Sequence, residues 1–300
     1  MKISLRSTIL VAAVLVWGCS GLSQQDDHAV LVSTRWLQEH LEDPSLVILH
    51  VGERASFDTI HIPGSQYIHP GALVVNTHGL RNEIPDAEKI DSVLVSKGIR
   101  KHSRVVLCYE NESFISRTAR IFLTMEYAGL GTQAHLLNGG LERWMEEGRS
   151  VTDTVYAIST GELQPEENPR ILVDAGEVDA RRGDPGYIVI DARSSSYYEG
   201  YYDTINGAFV GGHIEGAVNL PYGNLLSDTV PYMFMGNEEM RNAFERTGME
   251  EGNILIHSCG SGIAASVTYL VARHLGYRSM FYDGSFEDWR NRGLATVPSY

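Results

Sequence analysis

Cysteine is scarce in this chain: Cys19, Cys108 and Cys259 are the only three among 300 residues. So few exclude a disulfide framework, and each one needs its own explanation. Clusters of Lys and Arg are also missing. With 24 basic residues against 38 acidic ones and a net charge of −14, the chain has no electrostatic footprint for nucleic acid. Its acidic surface argues for solubility. No run of His, Cys, Asp or Glu has the spacing of metal ligands, so neither a metal nor another cofactor is expected. No apolar run is long enough for a comfortable membrane span.

One apolar run is nevertheless informative. Lys2 and Arg6 make a basic start, "STILVAAVLVW" follows, and "GCS" closes it. That order and length fit the core of an export signal over residues 1–18. Gly18 before Cys19 resembles a bacterial lipoprotein cleavage box, with Cys19 as the lipidation site and the lipid as a membrane anchor. Trp17 is an unusual neighbour for such a box, and a plain secretory signal cut nearby is the alternative. Residues 19–28 then read as a polar tether. The expected location is the periplasm or cell envelope.

The rest of the chain repeats itself. "LVILHV", "HIPGS", "SRVVLCYENES" and "LLNGGLERW" come in the same order as "YIVIDARS", "GHIEGAVNLP", "GNILIHSCGSG" and "YDGSFEDW". From His61 to Glu110 is 49 residues, and from His213 to Cys259 is 46. Two copies of one domain account for this, over residues 29–150 and 170–300, joined by a polar, Pro-containing linker at 151–169. Short β-branched runs bounded by turn residues read as strands. "SRTARIFLTMEYAG" and "ASVTYLVARHLGY" space their apolar residues for helices, with Gly129 and Gly276 as C-caps. Strands alternating with helices predict an α/β fold in which each domain is a parallel sheet flanked by helices.

Chemistry concentrates at "CGSGIAAS". Ligands of parallel α/β sheets bind beyond the carboxyl ends of the strands. Cys259 stands there, with a helix expected a few residues later. Backbone N–H groups of residues 260–264 and the helix N-terminus both favour a thiolate over a thiol. Gly260 and Gly262 let the backbone close round an anion, by tolerating positive φ and lacking a Cβ. Ser261 adds a hydroxyl. Cys108 lies within the strand "RVVLC" and reads as a small buried hydrophobe.

These motifs together resemble the tandem rhodanese-domain sulfurtransferases, over residues 29–300, and "CGSG" is similar to the loop of the 3-mercaptopyruvate type. The resemblance implies ping-pong transfer of a sulfane sulfur through a Cys259 persulfide. The donor is thiosulfate or 3-mercaptopyruvate, and the acceptor is cyanide or a thiol. Cys259 and Ser261 are then catalytic. Gly260, Gly262, Ile263 and Ala264 hold substrate through their amides, and Arg193 of "DAR" is a candidate substrate contact. A structural ion pair is the equal alternative for Arg193. Glu110 takes the place of Cys259 in the first copy, which then acts as scaffold.

The resemblance is incomplete. The family's two substrate arginines fall at Tyr197 and within "YYDTINGAFVG", which has none. Its acid–base Asp and His fall near Gly71 and Asn82. The Tyr-rich insert, with Tyr197, Tyr198, Tyr201 and Tyr202, reads as a packed covering loop, or as an aromatic ligand surface. His61 and His213 read as structural hydrogen-bonding groups. A phosphatase reading fails because the loop ends in Ala264, Ala265 and Ser266 rather than a phosphate-binding arginine. An exported, non-enzymatic binding or redox-sensing module with a reactive Cys259 remains the alternative function.

Overall fold

The computed structural model describes residues 29–201, 204–205, 208–209 and 211–297. The export-signal segment, Cys19, the tether and Tyr202 lie outside them. Among the described residues no helix is long and apolar enough to cross a membrane.

The repeat is built as two five-stranded parallel sheets. In the first copy the strands Leu31–Val32, Ala134–Leu137, Arg104–Tyr109, Leu46–Val51 and Gln66–Ile68 lie side by side in that order. In the second the order is Leu172–Val173, Ser279–Tyr282, Ile254–Ser258, Tyr187–Asp191 and Val218–Asn219. Each sheet therefore runs first, fifth, fourth, second, third strand of its own copy. The central strands are continuous apolar runs because helices cover both faces of a parallel sheet. Even the Trp-bearing helices match. Trp144 and Trp289 are fully buried, and their indole N–H groups donate to Ser150 O and Ala295 O, each at 2.8 Å.

The two copies share one core. The helix Ile115–Tyr127 packs against its counterpart Ala265–His274, and a single apolar cluster contains Leu107 and Phe122 with Leu255 and Val271. At the rim of this contact Arg273 Nε donates to Glu126 Oε1 at 2.6 Å. Burying apolar surface at roughly 25 cal/mol per Å² makes such a contact a stable one. Segment 151–169 runs along the first copy rather than hanging free. Thr152 bridges His61, Gly161 N donates to Val95 O, and Asn168 N donates to Tyr127 O.

Each copy also reaches over the other's strand ends. In the first, the strands Val75–Thr77 and Leu80–Glu83 form a hairpin, turned by His78 and Gly79 with φ of 52° and 79°. Such left-handed pairs match the twist of a tight hairpin. Just past it, Ile84 N donates to Asp283 Oδ2 at 2.7 Å. The reciprocal bond runs from Phe234 N to Asn138 Oδ1 at 2.8 Å. Asp283 and Asn138 hold the same place in the two copies, so the docking follows an approximate internal two-fold.

Candidate active site at the Cys259 loop

Cys259 stands immediately past the strand Ile254–Ser258, 2% exposed. The loop that follows has its carbonyls tied down one by one. Cys259 O accepts from Phe286 N and Gly260 O from Glu287 N, each at 3.0 Å. Ser261 O accepts from Asn82 Nδ2 at 3.2 Å. Gly262 O accepts from Ser266 Oγ at 2.9 Å and from Arg120 Nη1 at 3.3 Å. In a planar trans peptide the N–H points opposite to the C=O. The amides of Gly260, Ser261, Gly262 and Ile263 therefore face away from those partners. Among the described residues, no N–H of residues 260–264 donates to a protein acceptor. Buried N–H groups are nearly always satisfied, so a run of such donors beside a sulfur is a cradle for an anion. The helix Ala265–His274 begins at its end and adds the positive end of its dipole.

The two loop glycines differ. Gly262 has φ +76°, and a Cβ there would lie 2.9 Å from Arg120 Nη1 and 3.1 Å from Asp283 O. Only glycine fits. Gly260 departs from expectation: its φ is not in the left-handed region. A Cβ there would meet nothing nearer than Arg193 Cδ at 3.9 Å. The sharp bend falls at one position because Arg120 and Asp283 crowd one position.

Arg193 lies against this loop, with its guanidinium committed elsewhere. Its Nε donates to Asp191 Oδ1 at 2.9 Å and its Nη2 to Gly212 O at 2.7 Å. It also stacks over Phe286, 4.3 Å from the ring centroid. This geometry carries the ion-pair alternative. Ala264 packs against the apolar cluster that contains Cys259. Tyr197 is half-buried, Tyr201 is 74% exposed, and Tyr198 stacks on His213 at 3.7 Å.

The histidines are structural. His61 lies between the carbonyls of Phe57 and Thr154, at 2.6 and 3.2 Å, and His213 Nδ1 meets Tyr198 O at 2.8 Å. His257, two residues before Cys259, is fully buried, and desolvation drives it down to about 3. Burial therefore favours its neutral form. Cys108 is buried in the strand Arg104–Tyr109, and burial pushes its thiol far up. Glu110 occupies the place of Cys259 in the first copy and accepts from Glu53 N at 2.7 Å. It lines a cavity of about 430 Å³ with Ser56, Thr59, Leu141, Glu142 and Met145, none of them a cysteine.

The first copy contributes more to the Cys259 loop than its sequence suggests. Asn82 Nδ2 donates to Ser261 Oγ at 3.1 Å, so the Ser261 O–H stays available as a donor. Arg117 Nη1 donates to Asn82 Oδ1 at 3.1 Å and fixes which end of that amide faces Ser261. Arg120, fully buried, donates to Asp283 Oδ1 at 2.6 Å. Beside them, burial and the Asp283 carboxylate push the Glu83 carboxyl up to about 7, against the pull of Arg120. A signal for the two arginines was present in "SRTAR", where positions three apart share a helix face. Nothing in the chain said which loop that face would meet.

The family model for the rhodanese-like domain matches residues 33–147 and 174–292. The chain is 30% identical to the sulfur carrier protein TtuD of Thermus thermophilus, over 90% of this chain and 95% of that one. It is 27% identical to a probable 3-mercaptopyruvate sulfurtransferase of Pseudomonas aeruginosa, over 87% and 95%. Among solved structures, the 3-mercaptopyruvate sulfurtransferase SseA of Escherichia coli superposes with a TM-score of 0.73 at 22% identity, covering 86% of this chain and 99% of that one. EanB in complex with ergothioneine gives 0.78 at 20%, covering 90% and 70%.

Proposed function

This chain belongs to the rhodanese family, with two rhodanese-like domains, and from that premise we propose that it is a sulfurtransferase working through a persulfide on Cys259. The observation that carries the reading is the Cys259 loop itself, with its carbonyls bound outward and the N–H groups of residues 260–264 given to no protein acceptor among the described residues.

The chemistry follows from that cradle. The Cys259 thiolate attacks the outer sulfur of thiosulfate or the thiol sulfur of 3-mercaptopyruvate. A new S–S bond forms, and the bond to the donor breaks with its electron pair leaving on sulfite or on the pyruvate enolate. The terminal sulfur is left as an anion held by the loop amides. An acceptor nucleophile, cyanide or a thiolate, then takes that sulfur and returns the electron pair to Cys259. Ser261, with its O–H free to donate, meets the donor's oxyanion. The first domain is a scaffold that supplies Asn82 and Arg120 to the loop.

Intact-mass measurement tests this. Reduced protein incubated with each donor gains one sulfur, cyanide removes it as thiocyanate, and Cys259→Ser gains none. A reduced protein that takes up sulfur from neither donor is instead a binding or redox-sensing module. The basic start, apolar run and Cys19 support export with a lipid on Cys19. Fractionation and labelling with a fatty acid, lost in Cys19→Ala, tests that part separately.

A further inference from the structure

Arg117 is an arginine without a counter-ion. It sits half-buried on the helix Ile115–Tyr127, one turn from Arg120. Among the described residues its single hydrogen-bond acceptor is the neutral amide of Asn82, and no carboxylate pairs with it. Arg120 has a partner in Asp283, yet its Nε and Nη2 are buried with no acceptor among the described residues. Burial and the neighbouring Arg120 charge both work against the Arg117 cation. Half-desolvating one guanidinium beside another is unfavourable unless an anion joins them. Among the described residues, the hydrogen-bonded link leading from Arg117 runs through Asn82 to the hydroxyl of Ser261.

A second observation bears on the same place. The group against Ser261 is a carboxamide, which has no proton to deliver near neutral pH. Glu83, the next residue, interacts with Asp283 and Arg120 instead. His257 is buried against Thr268 and Ser279. A thiol donor such as 3-mercaptopyruvate leaves as a carbanion equivalent that must collect a proton. A thiosulfonate leaves as sulfite or a sulfinate, stable without one.

We propose that Arg117, steered by Asn82, holds the anionic sulfonyl end of a thiosulfonate donor at the Cys259 loop, and so determines donor specificity in favour of thiosulfate. The inference rests on the persulfide reading above. In the step, the thiolate of Cys259 bonds to the outer sulfur and the S–S bond of thiosulfate breaks. Its electron pair leaves on sulfite, while Arg117 and the loop amides balance the charge. No proton moves and no other reactant is needed.

The test is donor kinetics on full-length protein, with cyanide as acceptor, for wild type, Arg117→Gln and Arg117→Lys. Charge-assisted hydrogen bonds are worth roughly 1.5–3 kcal/mol, about ten- to a hundredfold in KM. The expected result is that thiosulfate outperforms 3-mercaptopyruvate in wild type. Arg117→Gln raises the KM for thiosulfate at least tenfold with kcat and the KM for cyanide within about threefold, and Arg117→Lys recovers part of the loss. A thermal melt of each variant controls for folding. If persulfide forms normally but Arg117→Gln leaves the thiosulfate KM unchanged, or if 3-mercaptopyruvate is the better donor, this inference is overturned and the persulfide reading stands. If no donor loads Cys259 in wild type, both fall.

Discussion

Asn82 and Ser261 are 179 residues apart and joined by a 3.1 Å hydrogen bond from Nδ2 to Oγ. The bond ties the hairpin of the first domain to the Cys259 loop of the second. Asn82 holds a left-handed backbone, φ 59°, a conformation Asn tolerates better than most residues.

Replacing Asn82 by Ala removes the bond and puts a less tolerant residue at that φ. Persulfide loading of Cys259 by thiosulfate should slow about tenfold, the equivalent of one lost hydrogen bond of roughly 1.4 kcal/mol. Stability should drop by about 1 kcal/mol from backbone strain. Stopped-flow loading and urea denaturation read the two effects. Unchanged loading would show that the contact is packing only.

The two loop glycines should respond differently. Gly262→Ala drives a Cβ to 2.9 Å from Arg120 Nη1 at φ +76°, so the loop must open. Removing an oriented oxyanion-type donor costs roughly a hundredfold or more in rate. Gly260→Ala meets nothing closer than 3.9 Å and should retain activity within a fewfold. Equal losses in a side-by-side thiocyanate assay would contradict this account of the loop.

Arg193→Ala should act on stability before activity. It leaves the Asp191 carboxylate buried without its partner, since the side chains of Asp191 and Arg193 are 4% and 8% exposed. Breaking one half of a buried pair costs about 3–5 kcal/mol, visible as a lower urea midpoint. A variant with wild-type stability and a raised donor KM would move Arg193 into the substrate site.

Glu83 predicts a pH dependence with a definite sign. Its folded carboxyl titrates at about 7 against an ordinary 4.5, so the folded protein binds the proton more tightly than the unfolded chain. Its contribution is full below about 4.5 and is lost as pH rises toward 7. Glu83→Gln should flatten that slope and stabilise the protein at pH 8. The gain should be on the order of 1 kcal/mol, because the group is partly solvated. Denaturation of both forms across pH 5–8 checks it. A slope that survives in the variant assigns it to another group.

Much of this was readable along the chain. The doubled order of motifs predicted two domains, and identical strand orders follow. Placement of Cys259 past a central strand came from the apolar run "ILIH" meeting small residues. Cys108 read as buried because it lies inside a strand, and Glu110 as its copy's substitute because the two strands align. Gly260 is the exception. Two glycines look alike in a string, while their φ values depend on what crowds each Cβ. The roles of Arg117 and Arg120 are not legible along the chain, because a helix pattern reports which residues share a face and not what that face meets.

The sequence by itself determined the local chemistry: a cysteine at a strand end, residues small enough for backbone to surround it, and a sister copy with Glu110 in its place. These depend on neighbours a few positions away and on periodicity, which a chain carries in its order. Only the tertiary structure decided what completes the site. The helices Ile115–Tyr127 and Ala265–His274 bury their apolar faces on each other, and that contact places Asn82, Arg117 and Arg120 around Ser261 and Gly262. Their charges and hydrogen bonds acquire meaning only at distances of a few ångströms, which apolar packing between the two domains sets.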